Sequence, residues 1–249
     1  MNIKPEIIVA PDAQTVASMA AERIIEVAAE AIADRGRFTL ALSGGKTPEA
    51  TYTILAAALP PRGVDWSRTF LFFGDERFVP HDDPASNFAM ARRCLLVRAM
   101  IPVKNVFPIA TDTESPAASA TDYESKLAEF FEVEADAPPP ALDLILLGLG
   151  DDGHTASLFP GAAALAEDRA WMTWSPPGTL PPAVDRVTMT YPLINAAHGV
   201  MFLVTGANKH APLAEILQLR AEVAKRPAAG VRPTNGKLTW IIDHAAAAG

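Results

Sequence analysis

The sequence predicts an α/β fold, with a mostly parallel sheet and helices on both faces. Two observations carry this. Short β-rich runs alternate with longer helical stretches along the chain, the pattern of repeated β–α units. Several runs, such as the "LILLG" within 142–148 and the "GVMFLV" within 199–206, are continuously apolar rather than alternating, as strands covered on both faces are. Hydrophobic residues make up 49% of the chain. Much of this is alanine, which suits helices packed closely on a sheet.

The elements follow in order. A strand is expected at 6–10, then an Ala-rich amphipathic helix at 13–36, capped by Asp12 or Thr15 and ended by Gly36. A strand at 38–43 leads to a helix at 48–59, with Pro48 at the first helical position behind Thr47. Next come a strand at 69–73 and helices at 86–100 and 120–133. The rest of the chain holds strands at 142–148, 186–191, 199–206 and 238–243, with helices at 191–198 and 208–222. The 22 prolines gather in the connections. One Pro-rich stretch, 175–185, reads either as a loop framing a site or as a rigid connector. At 249 residues without an internal repeat, the chain is expected to form a single domain over 1–249.

Charge and composition exclude several functions. The formal net charge is −8, which argues against general nucleic-acid binding, since that needs concentrated Lys and Arg. A few local cations still allow a small anionic substrate. The one cysteine, Cys94, permits no internal disulfide. No signal peptide and no membrane span are read, so a cytoplasmic location is expected.

In open α/β sheets ligands bind beyond the carboxyl ends of the strands. Three expected strands end there in polar, glycine-containing loops. The first is "ALSGGKTPEATY", residues 41–52. Its glycines let the backbone approach an anion, and the helix that follows offers free N–H groups and a positive dipole end. Gly45-Lys46-Thr47 matches the end of a nucleotide P-loop, but Leu40 stands where that motif needs its first glycine. The shorter loop suits a single phosphate. A plain strand–helix turn without ligand is the other reading.

The second loop is "FFGDERFVP", residues 72–80. Either it is a solvated loop paired to itself, or Asp75 points into a site as acid, base or hydroxyl acceptor. In the latter case Glu76 and Arg77 position substrate or neighbouring loops.

The third is "LILLGLGDDGHTASLFPG", residues 144–161. Gly148, Gly150 and Gly153 have the G-x-G-x-x-G spacing of a dinucleotide-binding turn, and the acidic Asp168 lies about 20 residues on. Asp151 and Asp152, however, would sit where the pyrophosphate belongs. Pro160 and Gly161 also leave barely two turns for the helix that the fingerprint requires. A histidine beside a carboxylate fits the loop better. With an ordinary pKa near 6.5, His154 can accept a proton at neutral pH, and Asp151 or Asp152 can orient its ring. A capping or core histidine is the alternative. No G-x-S-x-G elbow is present, and Cys94 reads as a packed thiol. His81, His198, His210 and His244 lack metal-ligand spacing.

Together, "ALSGGKTPEATY", "FFGDERFVPHDDPASNFAMARRCLL", "LDLILLGLGDDGHTASLFPG", "RVTMTYPLINAA", "FLVTGANKHAPL" and "LTWIIDHAA" resemble the 6-phosphogluconolactonase family. They stand in the family's order and run from about residue 38 to 246. The resemblance implies a Rossmann-like fold shared with sugar-phosphate isomerases and deaminases. It implies hydrolysis of 6-phospho-D-glucono-1,5-lactone to 6-phosphogluconate in the oxidative pentose phosphate pathway, with no cofactor and no metal. Glucosamine-6-phosphate deaminase is the competing resemblance. It places a glutamate where this chain has Phe159, and that difference favours the lactonase.

For such a reaction His154 is the expected general base toward water, with Asp152 orienting it. Asp75, by resemblance to the deaminase base, is placed near the reacting end of the sugar. The phosphate is expected to meet Ser43, Gly44, Gly45, Lys46 and Thr47, with Arg77, Arg186 and Lys209; Lys46 ranks below Lys209. Asn87 is expected either to touch sugar hydroxyls or only to cap its helix. The expected partner is the small sugar-phosphate lactone alone, without nucleic acid or membrane, in a monomer or small homo-oligomer.

Overall fold

The computed structural model describes residues 4–58, 63–134, 137–179 and 182–248. The chain opens on strand β1 (Glu6–Ala10), helix α1 (Ala13–Arg35) and strand β2 (Phe38–Leu42). Asp12 caps α1 by accepting the Thr15 N–H, and Gly36 ends it in a left-handed conformation at φ 75°, a geometry in which glycine carries no Cβ penalty. Helix α2 (Lys46–Ala57), strands β3 (Thr69–Phe73) and β4 (Asp75–Arg77), and helices α3 (Asn87–Ala91) and α4 (Pro116–Phe131) follow. The rest comprises β5 (Leu144–Gly148), β6 (Met172–Ser175), β7 (Arg186–Met189), α5 (Tyr191–Ala196), β8 (Gly199–Val204), α6 (His210–Leu217), β9 (Lys237–Asp243) and α7 (His244–Ala247).

Six strands form the central sheet in the order β1-β9-β8-β5-β2-β3, and every pair in it is parallel. All five residues of β2 are buried, as are the last five of β8 and of β9. The continuous apolar runs therefore mark strands covered on both faces, as expected. Phe202 of β8 and Trp240 of β9 stack at 3.8 Å between ring centroids, within one apolar cluster that also takes in Met172, Val187 and Met189. The chain steps outward from β2 to β3, then returns past β2 to β5 and continues through β8 to β9. The direction of winding thus switches between β2 and β5, so the loops leaving these two strands open side by side at the carboxyl edge.

The structure departs from the sequence reading in four places. First, β4, β7 and β6 form a separate three-stranded antiparallel sheet; the 186–191 run belongs to it and not to the parallel sheet. Second, α2 begins at Lys46 with Gly45 as N-cap, so Pro48 is its third residue, where its missing N–H is still harmless. Third, the helix expected at 86–100 is only α3 followed by a π-helical turn at Arg92–Leu96, with a positive φ of 50° at Met100. Fourth, α6 starts at His210, behind a 3-10 turn at Ala207–Lys209, and stops at Leu217. Of the Pro-rich 175–185 stretch, residues 180 and 181 lie outside the described residues. No helix among the described residues is long and apolar enough to cross a membrane.

Candidate active site

A cleft of about 490 Å³ opens at the carboxyl edge, over the switch between β2 and β5. The loop after β2 builds one wall. Tyr52 of α2 braces it, with its hydroxyl accepting the Ser43 N–H at 2.8 Å and donating to the Ser43 carbonyl at 2.9 Å. Gly45 takes φ 112° and gives α2 no side-chain cap. The first N–H groups of α2 therefore face a cleft lined by Ser43, Gly44, Gly45, Lys46 and Thr47, the arrangement of a helix-end anion site. Thr47 is fixed by a 2.9 Å hydrogen bond between its hydroxyl and that of Thr205.

β4 builds the second wall. Alternation along a strand sends Asp75 and Arg77 to one face and Glu76 to the other. Asp75 and Arg77 line the cleft. Asp75 is 8% exposed. Its Oδ2 accepts from the Ser157 hydroxyl at 2.6 Å and its Oδ1 from Asn87 Nδ2 at 3.1 Å. Asn87 also donates to the Asp75 carbonyl at 2.9 Å, so its amide is fully committed on the nitrogen side. Its Oδ1, at the edge of the cleft, is buried without a partner among the described residues. Glu76 points away into the start of α3 and accepts the N–H groups of Arg77, Asn87 and Phe88 and the Ser86 hydroxyl. Burial pushes its pKa up despite these donors. Glu76 is thus a structural hub that aims Asp75 and Asn87.

The loop after β5 is the third wall. His154 Nδ1 lies 2.6 Å from Asp152 Oδ1, and the same oxygen accepts the His154 backbone N–H at 3.0 Å. Burial acts to raise the Asp152 pKa, but the hydrogen bonds from the His154 ring and backbone outweigh it and hold the carboxyl below its usual range. Asp152 does not line the cleft; it stands behind His154, which does. Of the two aspartates open in the sequence, Asp151 turns instead to Lys209 and Asn208, and the Lys209 ammonium is the first cause that lowers its pKa. After Gly153 the chain makes tight turns, with Ala156 at φ 46°, and no helix opens there among the described residues. The dinucleotide fingerprint thus lacks its helix.

The structure brings Ser43, Gly44, Gly45, Lys46, Thr47, Asp75, Arg77, Asn87, His154 and Lys209 to the cleft. It does not bring Arg186, which is 4% exposed and donates to the carbonyls of Val184 and Pro182 at 2.8 Å each. Arg186 faces Arg77 across the β4–β7 ladder, and burial together with the Arg77 charge lowers its pKa. Among the described residues Lys46 and Arg77 meet no carboxylate at ion-pair distance, whereas Lys209 is paired with Asp151. Residues that sequence reasoning missed are Ser157, Thr205, Asn208 and Tyr52. Ser157 stood inside the quoted His154 loop, but nothing in its spacing shows that it reaches Asp75. Of the 175–185 stretch, Pro176 to Thr179 line a different cavity beside Phe159. Among the described residues no group of three or more His, Cys, Asp or Glu is arranged to hold a metal ion.

The chain matches the family model described as glucosamine-6-phosphate isomerases/6-phosphogluconolactonase over residues 11–240. It is 41% identical over 247 residues to a 6-phosphogluconolactonase of Nostoc sp. (strain PCC 7120), covering 99% of this chain and 98% of that one. It is 46% identical over 217 residues to a 6-phosphogluconolactonase of Synechocystis sp. (strain PCC 6803), covering 87% and 86%. The solved structure of 6-phosphogluconolactonase from Trypanosoma cruzi superimposes with a TM-score of 0.87 at 33% identity, covering 99% of this chain and 97% of that one.

Proposed function

The chain belongs to the glucosamine-6-phosphate isomerase/6-phosphogluconolactonase family, and on that premise we propose how this cleft hydrolyses 6-phospho-D-glucono-1,5-lactone to 6-phosphogluconate. One observation carries the proposal: His154 Nδ1 is engaged by Asp152 at 2.6 Å. A neutral imidazole that donates from Nδ1 keeps the lone pair on Nε2, and the ring borders the cleft. His154 Nε2 takes a proton from water as the water oxygen attacks the lactone C1. The tetrahedral intermediate then breaks the bond from C1 to the ring oxygen, and the imidazolium returns its proton to that oxygen. The new carboxyl group ionises, and one proton is released for each lactone opened. Asp152 holds the ring in the working tautomer and stabilises its charged form.

The substrate phosphate sits at the start of α2, on the N–H groups around Gly45 to Thr47, with Lys46 and Lys209 as counter-charges. Lys209 exchanges its Asp151 contact for the phosphate. Arg77 offers the guanidinium donors not used on the Ala85 carbonyl to substrate oxygens. Asp75, held by Ser157 and Asn87, is a fixed acceptor for a sugar hydroxyl. The apolar cluster shared by both sheets supports one domain over the whole chain. A cytoplasmic enzyme, monomeric or a small homo-oligomer, goes with this reading.

The test is a coupled assay. Glucose-6-phosphate dehydrogenase generates the lactone in place, and 6-phosphogluconate and proton release are followed with and without this protein. Product must appear well above the spontaneous rate. Turnover of glucosamine-6-phosphate in its place would assign the cleft to deamination.

A further inference from the structure

The catalytic turn is gripped from behind by a segment far away in sequence. Arg226 donates from Nε and one terminal nitrogen to the two carboxylate oxygens of Glu215, at 2.8 and 3.1 Å. Its other terminal nitrogen donates to the Asp152 carbonyl at 3.1 Å. Two residues on, the Ala228 N–H donates to the Gly153 carbonyl at 3.0 Å. The stem of Arg226 lies across Gly153, where an added Cβ would meet Arg226 Cδ at 2.5 Å. Gly153 itself sits at φ 85°, so this close approach and this turn both require glycine.

We propose that Arg226, oriented by Glu215, is a positioning residue for the Asp152–His154 pair. The carbonyl it holds belongs to the same residue whose carboxylate orients the ring. The next carbonyl is held by the same segment. Both peptide units between Asp152 and His154 are thereby held, so the backbone that sets the two side chains against each other is fixed. A planar guanidinium makes these three bonds at fixed angles, which a lysine cannot reproduce.

The inference rests on His154 being the base only for its effect on rate, and its structural part is testable separately. The charged groups around the ring are Asp151 and Asp152 on its own loop and Lys209 paired to Asp151. Lys46 and the Asp75 and Arg77 strand stand across the cleft, and Arg226 with Glu215 lies behind. Arg226→Lys leaves the charges of all of them unchanged, so only the geometry is altered.

The experiment measures kcat, KM, Tm and the NMR resonance of the His154 ring Nδ1–H proton in Arg226→Lys and Arg226→Met. In folded Arg226→Lys the expected result is a kcat reduced roughly tenfold with KM nearly unchanged, and an Nδ1–H resonance moved upfield as the short Asp152 hydrogen bond lengthens. Arg226→Met should lose at least as much kcat. The proposal is overturned if Arg226→Lys matches the parent in both kcat and ring-proton resonance. It is also overturned if the loss lies in KM, or merely follows the fraction unfolded. A moved resonance with unchanged kcat would support the positioning and count against His154 as the base.

Discussion

Asp152 binds His154 twice through one oxygen, at 2.6 Å to the ring nitrogen and 3.0 Å to the backbone N–H. The backbone bond anchors the Asp152 carboxylate to the loop, so its oxygen stays where the ring nitrogen meets it. Asp152→Asn can present an N–H to Nδ1 and favour the wrong tautomer. We expect kcat to fall about 10²-fold or more, with KM little changed, in steady-state lactonase assays. An Asn variant with parental kcat would remove Asp152 from the mechanism. The pair also makes stability depend on pH. The folded pKa of Asp152 lies below its ordinary value of 3.8. Its pairing therefore stabilises the fold above that pH, and this contribution is lost as pH falls through the lower folded value.

Lys209 is held by Asp151 rather than standing free. A phosphate contact remote from C1 binds ground and transition states alike. Lys209→Ala should therefore raise KM with little change in kcat. A fall in kcat at unchanged KM would show that Lys209 acts at the reacting centre.

Gly44 leaves no room for a side chain. A Cβ there would meet Asn87 Oδ1 at 2.1 Å and Cγ at 2.8 Å. Gly44→Ala must displace Asn87, which holds Asp75. Overpacking of this kind costs about 1–3 kcal/mol, and kcat/KM should fall along with the denaturation midpoint. A variant with normal activity and stability would mean that Asn87 moves aside freely and does not fix Asp75.

Glu76 is a buried carboxylate with four donors around it. Glu76→Gln replaces one acceptor oxygen with a donor and leaves buried N–H groups unmet, at a cost of about 1–3 kcal/mol. Because burial raises the folded pKa above 4.5, the folded chain binds this proton more tightly than the unfolded one. The contribution of Glu76 to stability therefore falls as pH rises from about 4.5 through the folded value. Urea titrations across this window should show the parent's advantage over Glu76→Gln shrinking with rising pH. A constant gap would contradict the buried, proton-binding description.

The parallel sheet was legible because a strand buried on both faces tends to be apolar along its length, as in β5 and β8. The three site loops were legible because glycines and charges follow such strands directly. The antiparallel sheet was not. β4 is three charged residues, too short for a period, and its burial comes from β7 and from the α3 cap. Arg186 looked like a free cation because sequence shows a charge but not the local carbonyls that bind it. Ser157 on Asp75 and Arg226 on Asp152 join positions 82 and 74 residues apart. Only the folded chain places those groups in contact.

The central claim is that His154 activates the attacking water. It is tested most directly by kcat for lactone hydrolysis in folded His154→Ala, corrected for spontaneous opening. The account predicts a fall of about 10²–10⁴-fold with KM close to the parent's, because the phosphate wall at Ser43 to Thr47 is untouched. A kcat equal to the parent's would contradict it.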